Sequence, residues 1–226
     1  AALNYANEIF RLGDELLEVL KDRTPENQTH LQIGALDSVP KRVLLEIVLA
    51  AQKVTPCVVS ILEGKGDELF RELRAHRIDL IVSNYPAQAQ EGALVFSKSV
   101  AKLSVSVYGA AKFKGLKQDF PNSLSGKPFV FPTSHSKLRH DLNHYFKLHG
   151  IQTLPIAETQ DTSLQKLLAE NGLGLAPFSE VEGSKEQSLV KLGRLKDVHE
   201  EIWLISAQRK LENSIAAKLM NTFSLH

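Results

Sequence analysis

Along residues 3–20 the apolar and small positions Leu3, Ala6, Phe10, Gly13, Leu17 and Leu20 recur at spacings of 3, 4, 3, 4 and 3, a heptad seam. A second row, Tyr5, Ile9, Leu12, Leu16 and Val19, runs beside it. Two adjacent rows make a stripe too wide for a lone exposed helix, so this helix is expected to pack on a partner, a second chain first and its own domain second. Pro25 within DRTPENQ cannot continue the helix, and the polar run reads as a linker.

From His30 the pattern alternates between strands and helices. LQIGALD, CVVSIL and RIDLIVS read as strands; SVPKRVLLEIVLAAQ, with Pro40 in its first turn, and GDELFRELRAH read as the helices between them. Two right-handed βαβ units on a parallel sheet follow. ALVFSKSV and KLSVSVYGA are two β-branched stretches with no helix between them. PFVFPT, SKLRHDLNHYFKLHG, LPIAE, DTSLQKLLAENG and LGLAPF then repeat strand, helix, strand, helix, strand. LVKLGRL, the strand EEIWLISA and a last helix with Leu211, Ile215, Leu219 and Met220 on one face complete the chain. Two α/β halves joined by extended segments near 103–108 and 202–207 make a two-lobed fold, whose default binding site is the cleft between lobes.

The pair Gly172 and Gly174 in AENGLGLAPF raises the question of a nucleotide loop, which needs strand, glycines, then helix. Here the order is helix, glycines, strand. Gly172 is a helix stop where positive φ is wanted, and Gly174 is a small residue in a crowded strand.

Composition narrows the remaining classes. The 226 residues are 43% apolar and 23% charged, enough to bury a sizeable core. Neither a membrane span nor a signal peptide is expected, so a cytoplasmic location follows. Lone Cys57, in TPCVVSIL, reads as a buried and inert thiol. A net charge of +1 gives the chain too little basic excess to grip duplex DNA by itself.

The segments NYANEIFRLGDELLEVL, LQIGALD, RIDLIVSNYP, FVFPTSHSKLRHDLNHYFKLHG and LLAENGLGLAPF, taken in this order, resemble the linker helix and effector-binding domain of LysR-type transcriptional regulators. The resemblance covers essentially the whole chain and is nearest to the subgroup that activates sodium/proton antiporter genes. It implies two Rossmann-like lobes of the periplasmic-binding-protein type behind a linker helix. It also implies a parent protein that binds DNA as a dimer or tetramer through an N-terminal winged helix-turn-helix absent from these residues. The expected division is 1–27 for the linker and dimerisation helix, 28–106 with 206–226 for lobe I, and 107–205 for lobe II.

No catalytic machinery is legible: there is no G-x-S-x-G, and no cofactor is called for. His140 and His144 stand at i, i+4 but lie opposite the core face of their helix, beside Lys137 and Lys147, with no third ligand fixed nearby. The polar clusters fall where strands end. They are Asp37 and Ser38, Ser83 and Asn84, Thr133, Ser134 and Ser136, and Thr159 and Asp161. These are the candidate effector-binding residues, and helix capping is the competing explanation for each. If Asp37 and Asp161 both face the cleft, their oxygens suit a monovalent cation such as sodium; TSHS, with no acid, suits an organic anion.

The function expected is therefore that of a sensory domain that responds to sodium, protons or a small anion and forms homo-oligomers. The stripe and the apolar residues Leu69, Phe70 and Leu73 of GDELFRELRAH are the expected contact surfaces. The alternative from another class is a free-standing two-lobed solute-binding protein for a small organic anion. It would need export, and the heptad helix argues against it.

Overall fold

The computed structural model describes Gly13 and residues 29–87, 95–181, 188–207 and 213–225. The double stripe of residues 3–20, Gly13 apart, lies outside the described residues, as does Leu211. In the first lobe β1 (Thr29–Leu36) runs between β2 (Cys57–Gly64) and β3 (Leu80–Ser83), parallel to both. Because β1 is central, both its faces are covered, and Leu31, Ile33, Ala35 and Leu36 are all buried. The crossovers are α1 (Lys41–Val54) and α2 (Gly66–Arg74). Pro40 stands just before α1, at its cap, where a missing N–H costs nothing.

The apolar face of α2 is not an interaction surface. Leu69, Phe70 and Leu73 are at most 2% exposed and pack into the first-lobe core. An amphipathic helix on a parallel sheet buries its stripe on that sheet first. Cys57 opens β2 and is only partly buried; it is a free thiol whose pKa burial raises.

The expected pairs of short strands are instead two long ones. β4 (Val95–Gly109) and β8 (Val190–Ala207) run antiparallel over nearly their full length. Register shifts at Ser99/Ala101, Ser104/Ser106 and Val107/Tyr108 interrupt the ladder without ending it. A bulge bends a strand while keeping its neighbour, which lets one ribbon serve two lobes. Along the ribbon, β4 passes from one buried cluster to the other between Leu103 and Val105, and β8 does so between Val198 and Ile202.

The second lobe contains β5 (Pro128–Pro132), α3 (Lys137–Leu148), β6 (Leu154–Thr159), α4 (Thr162–Glu170) and β7 (Ala176–Ser179). β5 and β6 are parallel, and β7 joins β4 antiparallel. Backbone bonds of 2.8 Å from Val130 N to Leu175 O and from Leu175 N to Pro128 O connect β5 to the approach to β7. Phe129, Phe131 and Phe146 form the aromatic centre of this core. Short 3-10 turns at Ala111–Asp119 and Asn122–Leu124 follow β4, a feature without periodicity in the sequence. The final helix, α5 (Ser214–Thr222), returns to the first lobe and buries Ile215, Ala216, Leu219 and Met220. Among the described residues no helix is long and apolar enough to cross a membrane.

Candidate functional site

The strands β1, β3, β5 and β6 all end at one cleft of about 1260 Å³ between the two lobes. Helices begin just beyond three of these ends, so the starts of α1, α3 and α4 border the cleft, and Lys65 and Gly66 add the start of α2. A helix start carries the positive end of its dipole and unpaired N–H groups. No side chain caps α1 or α2. α3 and α4 are capped, by Ser136 accepting from Arg139 N at 3.1 Å and by Asp161 accepting from Ser163 N at 2.7 Å.

Six of the nine expected residues meet in the cleft wall: Asp37, Ser38, Asn84, Thr133, Ser136 and Thr159. Three are elsewhere. Ser83 is fully buried, and its hydroxyl donates to Tyr85 O at 2.7 Å and accepts from Tyr85 N at 3.1 Å, locking the turn after β3. Ser134 is exposed on the turn before α3 and does not line the cleft. Asp161 is exposed and its carboxylate is directed to the first N–H groups of α4. Thr159 supports that turn by accepting from Asp161 N at 3.1 Å. His140 and His144 are exposed, and no group of three or more potential metal-ligating side chains is found among the described residues.

Charge on the cleft wall is biased. Lys41, Arg42, Lys65, Lys137 and Lys166 stand against Asp37, Glu170 and Glu200. Some of these cations have partners along their own surfaces: Lys41 with Glu63, Arg42 with Glu46 at 2.9 Å, and Lys137 with Asp141 at 2.7 Å. Arg139 fixes the start of α3. Its guanidinium lies 4.0 Å from the Phe131 ring centre, donates to Pro132 O at 3.0 Å and pairs with Glu158 at 2.8 Å. The wall is also built from residues such as Gln165, which is 3% exposed and donates to Val130 O at 3.0 Å.

The residue that pattern reading missed is Glu200, which is 8% exposed and lines the cleft from β8. Its Oε1 accepts from Asn84 Nδ2 at 3.3 Å, and its Oε2 is bonded to the Ser179 hydroxyl. Burial pushes its carboxyl pKa up, against the opposing effects of Ser179, Asn84 and Lys137. The signal was present in the strand: Val198, Glu200 and Ile202 alternate on one buried row, so an acid stands where an apolar residue is due. Nearby Glu180 behaves oppositely. Burial would raise its pKa, but hydrogen bonds from Lys191 and Ser106 carry it below the usual carboxylate range.

Residues 25–224 match the LysR substrate binding domain family. The chain belongs to that family. Two lobes, a long antiparallel ribbon between them and a cleft at the strand ends are its architecture. Over 222 residues the chain is 24% identical to the transcriptional activator protein NhaR of Escherichia coli K12, covering 96% of this chain and 73% of NhaR. Its fold is similar to full-length CbnR complexed with the target DNA, at a TM-score of 0.72 and 17% identity, covering 97% of this chain and 77% of CbnR. It is also similar to the effector binding domain of QuiR in complex with shikimate, at a TM-score of 0.61 and 13% identity, covering 86% of this chain and 95% of that domain.

Proposed function

We propose that this LysR-family domain senses a small anion in the cleft and passes the signal to a DNA-binding module of the same protein. The observation that carries the reading is the convergence of four helix starts, two of them without a side-chain cap, on a wall where five cations face three acids. Helix dipoles and N–H groups favour negative charge, the hydroxyls of Thr133 and Thr159 supply directional bonds, and Ser136, which donates to Thr133 O at 3.0 Å and caps α3, holds that helix start in place. The shikimate complex of QuiR is a carboxylate-bearing example on a similar fold. The similarity to NhaR supports a transcriptional activator in the cytoplasm, and the sequence resemblance extends the proposal to sodium/proton antiporter genes under sodium or pH control. For sodium itself the geometry offers less, because only one of the two expected aspartates, Asp37, reaches the cleft. A free-standing solute-binding protein is disfavoured by family membership.

Homo-oligomerisation belongs to the same proposal. Besides the stripe of residues 3–20, edge strand β2 exposes Val58, Ile61 and Leu62, and edge strand β6 exposes Leu154 and Ile156. Exposed apolar edges of this kind suit a second copy that covers one lobe's edge with the other's. Thermal-shift titration against small carboxylates, sulfate, and sodium versus potassium chloride tests the effector reading. A ligand at one hundred times its Kd adds about 2.7 kcal/mol. Stabilisation by an anion that Ser136→Ala weakens is the expected outcome; stabilisation by sodium alone would overturn it.

A further inference from the structure

Among the described residues, Glu200 is the acid of the cleft bonded to both lobes. Asn84 reaches it from the end of β3 in the first lobe, and Ser179 reaches it from the end of β7 in the second. β8, which carries Glu200, is one of the two strands that pass between the cores. Ser179 lines the cleft beside Glu200, so its hydroxyl is bonded to the acid and borders the space a ligand would occupy.

A hydroxyl has one proton to give. When Glu200 is ionised it can only accept, so the Ser179 proton is committed to the carboxylate and lone pairs are left for the cleft. When Glu200 is neutral, its own O–H can donate to Ser179, and the Ser179 proton is released toward the cleft. One proton on Glu200 therefore changes Ser179 from an acceptor into a donor and removes a negative charge from the floor. We propose that the Glu200–Ser179 pair is a proton-operated selector for the anionic effector: it admits an anion when Glu200 is neutral and opposes one when Glu200 is ionised.

This rests on the anion-effector reading and adds its regulation. The surroundings favour such a switch. Burial disfavours the Glu200 carboxylate, while the polar bonds and the Lys137 ammonium at the start of α3 favour it. His135 and Lys137 before and within α3, Asp37 after β1, Lys65 before α2, Lys41 and Arg42 in α1, Tyr85 after β3, and Lys166 and Glu170 in α4 are the other titratable or charged groups among the described residues on the same cleft. His199 and Glu201, its neighbours on β8, line a separate hollow with His144 and His149.

The test uses sulfate, a dianion across the whole range, with calorimetric titrations from pH 4.5 to 8 at constant ionic strength set by chloride. Wild type is expected to lose sulfate affinity about tenfold as pH rises, the worth of one charge-assisted hydrogen bond. Glu200→Gln, whose amide donates to Ser179 at every pH, is expected to hold its low-pH affinity throughout. Ser179→Ala is expected to bind sulfate about tenfold more weakly than wild type at low pH, and it serves if Glu200→Gln does not fold. His135→Gln, which removes the cleft histidine, is expected to retain the wild-type pH dependence. A Glu200→Gln protein that loses sulfate as steeply as wild type, or a Ser179→Ala protein that matches wild type, would overturn the selector. Sulfate affinity that is independent of pH in wild type overturns the selector while leaving the anion site standing. No sulfate binding to any of these proteins at any pH overturns the anion site, and the selector with it.

Discussion

Asn84 and Glu200 are 116 positions apart in sequence, yet the Asn84 amide donates to the buried Glu200 carboxyl across 3.3 Å. Asn84→Ala leaves that carboxyl one donor short. Glu200 has a raised folded pKa, so its contribution to stability is complete below the unfolded value near 4.3 and is lost as pH rises toward the folded one. Removing a bond that favours the charged form raises the folded pKa further. Urea denaturation of Asn84→Ala is therefore expected to show a loss of about 1 kcal/mol that grows with pH; a loss greatest in acid would contradict this account.

Glu180 carries the opposite sign. Lys191 and Ser106 hold its pKa below the usual range although burial opposes them. Its contribution is present above the unfolded carboxylate pKa and disappears as pH falls through the folded value. Lys191→Met should flatten the acid limb of the stability profile, leaving unchanged the decline that Glu200 imposes as pH rises. Thermal melting at closely spaced pH values would detect either limb.

Gly172 and Gly174 look alike in sequence but meet different constraints on the backbone, which substitutions can separate. Gly172 ends α4 at φ +74°, where a Cβ is strained, so Gly172→Ala is expected to cost about 1–2 kcal/mol and Gly172→Asn less. At Gly174 an added Cβ would lie 2.9 Å from the Pro128 carbonyl oxygen, and the 2.8 Å bond from Leu175 N to Pro128 O resists any shift. Both Gly174→Ala and Gly174→Asn are expected to destabilise, by about 1–3 kcal/mol or more, in chemical denaturation.

Asp161→Ala removes the cap of α4 and should cost about 1 kcal/mol. The cost should be the same in sodium and potassium chloride, and sulfate affinity should not fall, because the side chain does not line the cleft. Ser136→Ala removes a comparable cap from α3 but does so inside the cleft, so it should weaken anion binding as well. A sodium-dependent loss for Asp161→Ala would restore the cation reading.

Charges placed on the exposed edges, Leu62→Glu on β2 and Ile156→Glu on β6, should leave the folded monomer intact and weaken self-association by sedimentation velocity. Unchanged association would leave the segment of residues 3–20 as the surface to test.

The sequence by itself determined the order of strands and helices, since period-two and period-3.6 patterns are local properties of the chain. It also placed Asp37, Asn84, Thr133 and Thr159 at strand ends, from which the fold delivers them to one cleft. What it left open were choices made by distant partners. Whether Leu69, Phe70 and Leu73 meet the sheet or another molecule is decided by what covers them, and the sheet does. Whether Asp161 binds a ligand or a helix start depends on where its oxygens point, and they point to Ser163 N and Leu164 N. β4 and β8 read as broken pairs because bulges disturb alternation, while the ladder between them is continuous across both cores. Glu200 was visible as an acid in an apolar row, but only tertiary structure brought Asn84 and Ser179 to it. A buried charge takes its meaning from its partners, and these come from two other strands.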